Sequence, residues 1–376
     1  MGYCKQKIGY RPTWAEVNLK SLAYNLGRIK KTLSAKTLIL ATIKADGYGH
    51  GLIPVAKKLT ACKVDYFGVA SIDEGIKLRA AGIKDPILIL GLILKEDVKV
   101  LFQYKLTPTI CSYDQALELD RCGRGLGQKI KVHIKVDTGM GRIGVVWQEA
   151  KKLICGIASL GSVKIEGLFT HFALADTDEK FTGQQINLLN ELRSQLEIEG
   201  LRIPLVHAAN SMGLLAFRNS HFNMVRPGLV LYGLYPKQTL NIKLKPVLSL
   251  KTKVIYVKRV FKGCGISYGH SYVADKKTTI VTLPLGYGDG YPRNLSNIGP
   301  VLIKGRRFKI SGRICMDQIM VDVGDLKVRI GDEAVLIGAQ GQSRITAEEL
   351  ADISGTIPYE IVCGLGSRIP RVYIDK

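Results

Sequence analysis

No stretch of the 376-residue sequence approaches the run of about 18 uncharged apolar residues that a membrane-crossing helix needs. The N-terminus, MGYCKQKIGYR, lacks the apolar core of a secretory signal. Gln6 stands where an N-myristoylation signal needs Ser or Thr. These absences point to the cytoplasm and to no membrane partner. Metal-binding cysteine patterns are missing too. The eight cysteines (Cys4, Cys62, Cys111, Cys122, Cys155, Cys264, Cys315, Cys363) form no CxxC pair and no Cys/His spacing of a zinc site. Scattered thiols in a large cytosolic chain are expected to stay reduced, and no metal site is expected. Acid is scarce: 32 Asp and Glu against 54 Lys and Arg leave a net charge of +22. That sign suits nucleic acid, a membrane surface or an anionic small molecule. The densest basic runs, residues 28–36, 251–262 and 304–309, carry no aromatic-rich binding motif, so they read as solvated faces and no nucleic-acid partner is expected. Disorder is excluded by a hydrophobic content of 46%.

What is present is a regular alternation. Short β-rich apolar runs recur at LILATIK (38–44), YFGVAS (66–71), ILILG (87–91) and TPTICS (107–112). They continue at KVHIKVD (131–137), IEGLFTHF (165–172), LVHAA (205–209) and MVRPGLVLY (224–232). Helix-compatible segments lie between most of them, at 71–81, 113–120 and 183–199, the first opened by the capping-box pair Ser71 and Glu74. Eight strands alternating with helices predict an α/β fold of the (β/α)8 barrel type, with a doubly wound sheet as the alternative. After Asn241 strand follows strand, at 248–258, 278–283, 301–303, 308–314, 319–323 and 333–337, with one helix at 346–353. This predicts two domains, a barrel over 12–240 and an all-β domain over 241–376, with residues 1–11 free to pack with the latter.

In such barrels the chemistry sits at the C-terminal ends of the strands. Lys44 ends the first run and is followed by the glycine-rich ADGYGHG; a lysine buried there becomes a nucleophilic amine able to form a Schiff base. An ordinary strand-end lysine before a turn is the alternative. The fifth run ends in DTGMGR, which puts Arg142 at the mouth, where it suits an anion or phenolate. The sixth ends near His171, a residue type more often structural than catalytic. The loops after the seventh and eighth supply Asn210, Ser211, Arg226 and Gly228, the donors a phosphate monoester needs. A lysine opposite a phosphate site suits a phosphorylated carbonyl cofactor, and pyridoxal 5′-phosphate (PLP) fits.

Nine segments then carry a resemblance: IKADGYGHG (43–51), HIKVDTGMGRIG (133–144), THFA (170–173), HAANS (207–211), VRPGLVLYG (225–233), ISYG (266–269), LPLGYGDGYPR (283–293), ICMDQIMVDV (314–323) and IPYEIVC (357–363). In this order, across most of the chain, they resemble alanine racemase. The resemblance implies a fold-type III PLP enzyme, a homodimer of barrel plus β domain that interconverts L- and D-alanine and supplies D-alanine for peptidoglycan. It implies that Lys44 holds PLP and is one of two acid/base groups, and that Tyr268 is the other, reaching in from the partner subunit. It further implies that Arg226 faces the pyridine nitrogen, supported by His171 and His207. Tyr48, Ser211, Gly228 and Tyr359 match phosphate-contacting positions. Arg142 matches the residue near the ring hydroxyl and the substrate carboxylate. Tyr287, Met316 and Asp317 match the region of substrate access and carboxylate binding, and Lys135 aligns with a lysine that some members carbamylate. His270 and Gly288 depart from the usual pattern and leave substrate preference open. The alternatives are a racemase of serine or of broader specificity, a decarboxylase on the same scaffold, which the RPG motif opposes, and a non-catalytic PLP carrier, which usually lacks the β domain.

Overall fold

A computed structural model describes residues 10–236 and 242–375. The predicted boundary at 240/241, Cys4 and residues 1–9 lie outside the described residues.

Eight parallel strands close into a barrel: Leu38–Thr42, Tyr66–Val69, Ile87–Ile89, Thr107–Ile110, Ile130–Asp137, Val163–Phe169, Leu205–His207 and Met224–Val225. Each pairs with the next, and the eighth pairs back to the first through Met224 opposite Leu38. Closure decides against an open doubly wound sheet. The helices take the expected caps. Ser71 accepts from Glu74 N, Ser112 from Gln115 N, and Asp178 from Phe181 N, each satisfying a helix-end donor. Helix Leu19–Lys30 precedes the first strand and packs beside the end of the barrel. Its buried Asn25 donates to Leu231 O (3.0 Å) and Lys245 O (2.7 Å) and accepts from Lys245 N (2.7 Å).

Three expectations change. The run 224–232 is not one strand: it stops at Val225, turns through Arg226-Pro227-Gly228 and continues as a 3-10 turn over Leu229–Tyr232. Pro227 has no N–H to give a ladder. The run 248–258 splits into Leu248–Lys253 and Tyr256–Val260. Third, strand Thr13–Asn18 falls inside the segment expected to be barrel but belongs to the C-terminal sheet. It pairs antiparallel with Leu248–Lys253 and parallel with Arg371–Ile374.

That sheet has seven strands, and a three-stranded sheet of Tyr256–Val260, Thr278–Leu283 and Ile319–Gly324 lies in the same domain. The β domain reaches back over the barrel mouth. Helix Pro358–Cys363 sets Tyr359 against Tyr48, ring centroids 5.8 Å apart. Gly49 lies so close under this helix that a Cβ would stand 2.2 Å from Val362 O, and its φ of 76° also favours glycine.

Candidate active site

The barrel mouth opens into a cavity of about 610 Å³. Lys44, Tyr48, Lys135, Arg142, His171, Asn210, Ser211, Arg226, Gly228 and Tyr359 all line it. Ten of the expected site residues therefore converge on one space, although they come from five strand ends and the β domain.

Lys44 begins a turn in which Ala45, Asp46, Gly47 and Tyr48 all have φ between 53° and 63°. A left-handed run of three non-glycine residues is locally unfavourable by about 1 kcal/mol each. Surrounding bonds hold it: Gly47 N to Ile43 O (2.8 Å), Gly49 N to Ala45 O (2.9 Å), and Leu52 N to the Asp46 carboxylate (2.8 Å). At the head of this turn Lys44 lines the cavity. Burial lowers its proton affinity first, and the Arg142 cation lowers it further. Arg142 follows a loop wrapped around Asp137, whose carboxylate accepts from the N–H of Gly139, Met140 and Gly141.

Opposite lies a cradle of small and polar groups. Ser211 Oγ accepts from Gly228 N (3.1 Å) while Asn210 caps the short helix Ser211–Ala216. A Cβ on Gly228 would stand 2.5 Å from Tyr48 Oη and fill the space. Tyr48, packed between Tyr232 and Tyr359, is kept a neutral phenol because burial opposes its ionisation.

Behind the cavity wall Arg226 heads a buried chain. Its Nη1 donates to His207 Nδ1 (2.7 Å), and its Nη2 donates to Thr170 O (2.7 Å) and Ala208 O (2.9 Å), with His171 Nδ1 at 3.4 Å. His207 Nε2 meets His133 Nδ1 at 2.8 Å, and His133 Nε2 faces Glu166 at 3.6 Å. A guanidinium only donates, so His207 Nδ1 must accept. The proton then sits on His207 Nε2, the bond to His133 runs outward, and the second proton sits on His133 Nε2 toward Glu166. Burial holds His171, His207 and His133 below the ordinary imidazole value, the first two well below. The Phe169 ring stacks on His207 (4.7 Å between centroids, 7° between planes) and carries Arg226 at 5.2 Å and Lys135 at 5.6 Å. Lys135 is pulled down to about 8, by burial first and by Arg142 next.

His133 and Glu166 are part of this arrangement and were not singled out from sequence. The signal was there. In KVHIKVD the polar residues at 131, 133, 135 and 137 alternate with Val132, Ile134 and Val136, which lie in the apolar core. In a barrel that alternation sends the polar set toward the axis.

The remaining expected residues gather elsewhere. Tyr268, Met316 and Asp317 line a separate cavity of about 690 Å³ in the β domain that shares no residue with the first. Tyr268 is 69% exposed and Met316 53%. Tyr287 adjoins them, its N–H donating to Cys315 O (3.0 Å). The Asp317 carboxylate accepts from Arg368 (2.6 Å), which also lies 3.6 Å from the fully buried Asp289 that Arg11 grips. Within one chain, then, the Tyr268 group and the Lys44 group line two separate cavities.

Comparison with known proteins agrees with this layout. Residues 17–236 match the family model "Alanine racemase, N-terminal domain" and residues 247–373 match "Alanine racemase, C-terminal domain". The alanine racemase of Halothermothrix orenii is 48% identical, covering 97% of this chain and 98% of its own. A solved alanine racemase from Clostridium difficile 630 superposes with a TM-score of 0.93 at 41% identity, covering 98% of this chain and 97% of that one. One from Bacillus anthracis, solved with bound L-Ala-P, gives 0.92 at 38% identity, covering 97% and 96%. With both family models matched in order over a closed barrel and its β domain, this chain belongs to the alanine racemase family of isomerases.

Proposed function

We propose that this chain interconverts L- and D-alanine with PLP as cofactor, Lys44 and Tyr268 acting as acid/base groups on opposite faces of the site. The single observation that carries the reading is the Lys44 amine, half-buried, lowered in proton affinity and facing a cradle that only a glycine at position 228 leaves open. PLP fits that cradle: Ser211, Tyr48, Tyr359 and the backbone of Gly228 would hold its phosphate, and Arg226 would meet its ring nitrogen. When bound, PLP supplies the electron sink that makes the α-hydrogen of an amino acid acidic.

The protein's own groups do the rest. Arg226 is permanently a donor, so it offers the ring nitrogen no proton-accepting partner and limits how strongly charge is drawn into the ring. That favours return of the proton to the α-carbon over side reactions. Arg142 and Lys135 give the cavity a positive field that attracts a carboxylate substrate. Lys44 holds or takes a proton on one face. Racemisation needs a second group on the other, because one base cannot easily serve both faces. Tyr268 is exposed and lines a different cavity from Lys44. We therefore infer that a second copy of the chain brings its Tyr268 over the mouth, making a homodimer with shared sites, with Tyr287, Met316 and Asp317 around the access path. Lys135 is a buried amine low enough in proton affinity to add carbon dioxide. Its nitrogen would bond to the carbon and release one proton, placing an anion beside Arg142. A cytoplasmic enzyme supplying D-alanine to peptidoglycan is the biological role this reading carries.

The test is L-alanine in heavy water with the PLP-loaded protein. D-alanine and α-deuterium should appear together. Deuterium without D-alanine would leave one base working and Tyr268 misassigned. Neither signal, with PLP bound, would move the assignment to another amino acid or to a PLP carrier. Rates on serine beside alanine separate the broader-specificity reading.

A further inference from the structure

The sequence marks Glu74 as the far half of a capping box, where its carboxylate should return to the N–H of Ser71. The forward half forms: Ser71 Oγ accepts from Glu74 N. The return half does not. Glu74 Oε2 accepts from Ala70 N (2.8 Å), and Oε1 accepts from Asp46 N (3.3 Å), a residue two beyond Lys44. The carboxylate thus bridges the end of the second barrel strand to the left-handed turn after the first. We propose that Glu74 is a positioning residue for Lys44, holding the turn that presents its amine and setting a negative charge beside it; this rests on the reading that Lys44 is the working amine.

Three observations support it. The turn at 45–48 is a conformation that non-glycine residues avoid, so a bond that ties it to a neighbouring strand end helps it persist. The Asp46 N–H lies outside the turn's own bonding, and Glu74 accepts it. Around the Lys44 amine the facing charges are unbalanced. Arg142 from the loop after strand five and Arg226 from strand eight both oppose its protonation, whereas Glu74 and the thiol of Cys363 favour it, Glu74 more strongly. Glu74 is therefore the main counterweight to two guanidinium groups. It fixes where the amine points and how much of it is protonated near neutral pH.

The test is a titration of the Lys44 amine by trace acylation over a range of pH, read by mass spectrometry of the Lys44 peptide. It uses the full-length chain freed of PLP, in the wild type, Glu74→Gln and Ser71→Ala. Glu74→Gln should lower the amine pKa by about 0.5–1 unit, as expected for removing one charge a few ångströms away in a half-solvated site. Ser71→Ala, which removes the helix cap but no charge, should leave the amine unchanged while lowering Tm by about 2 °C. In the PLP-loaded enzyme the limb of kcat governed by this amine, which is free once substrate has replaced it on the cofactor, should move the same way in Glu74→Gln. An unchanged amine pKa in Glu74→Gln, or an equal fall in Ser71→Ala, would overturn the proposal and leave Glu74 as a helix cap. If Glu74→Gln does not fold, Glu74→Asp carries the same test, with a smaller but measurable fall, and no fall would overturn it. The Lys44 reading fails separately: Lys44→Ala retaining racemase activity would remove the amine from the reaction whatever Glu74 does to it.

Discussion

The barrel mouth and the Tyr268 surface are built in opposite ways. At the mouth the backbone under the functional side chains is fixed, and Arg226 is held by its side chain as well. Lys44 sits on a strained turn, Arg142 on a loop wound around one carboxylate, and Arg226 at the head of four buried residues. Around Tyr268 there is a short two-stranded ribbon, Gly265–Ile266 with Tyr272–Val273, and Tyr268 stands 69% exposed next to Ser267 with a φ of 65°. One group gathers around a single cavity at the barrel mouth; the other projects from the surface of the β domain. The contrast teaches that preorganisation is concentrated where charge must be controlled, and the proposed shared site would join such a fixed cavity in one chain to a projecting phenol from a second.

Mutations sharpen that contrast in order of size. Lys44→Ala should cost about 10⁴-fold in racemase rate, the upper end for removal of an acid/base group, measured as D-alanine formed. Tyr268→Phe should cost about 10²–10³-fold without changing fold or melting temperature, since the hydroxyl is exposed. If Tyr268→Phe instead destabilised the chain as strongly as a core mutation, the two halves would not differ as described. Glu166→Leu should cost about 1–3 kcal/mol of stability, because it removes the Lys131 partner (2.5 Å) and the one negative charge facing the buried His133. Denaturant midpoints would read this.

The same residue gives a pH test. Burial alone would raise the Glu166 carboxyl, but the His133, Lys131 and Tyr66 side chains outweigh it and hold the group down to about 2, against an ordinary 4.5. A folded-state value below the unfolded one contributes stability that is fully present above about 4.5 and is lost as pH falls through about 2. Part of the group faces solvent, which screens the effect. In Glu166→Gln the acid side of the stability profile should flatten over that window. A profile that still falls as in the wild type would assign the acid sensitivity elsewhere.

Much of this was legible in the sequence, and the exceptions have physical causes. Strand–helix alternation and strand-end lysine, arginine and serine are local patterns, and the fold and the Lys44 cavity follow from them. The strand Thr13–Asn18 was misplaced because an alternating six-residue run says nothing about which sheet it joins; its partners lie more than 200 residues away. The eighth strand ends before its apolar run does; Leu229–Tyr232 is wholly apolar and buried, a pattern that strand and 3-10 turn share. His133 and Glu166 were missed because their roles appear only when strands five, six and seven are set in register. The sequence pattern makes Glu74 a cap, yet its carboxylate is diverted to a turn from another strand.

The central claim is that one working site takes Lys44 from one chain and Tyr268 from another. The most direct measurement mixes Lys44→Ala and Tyr268→Phe chains, each nearly inactive alone, under conditions that exchange subunits, and assays racemisation of L-alanine. The account expects activity to return, with about one competent site in each mixed dimer carrying both wild-type residues. Mixed dimers that form, bind PLP and stay as inactive as their parents would contradict it.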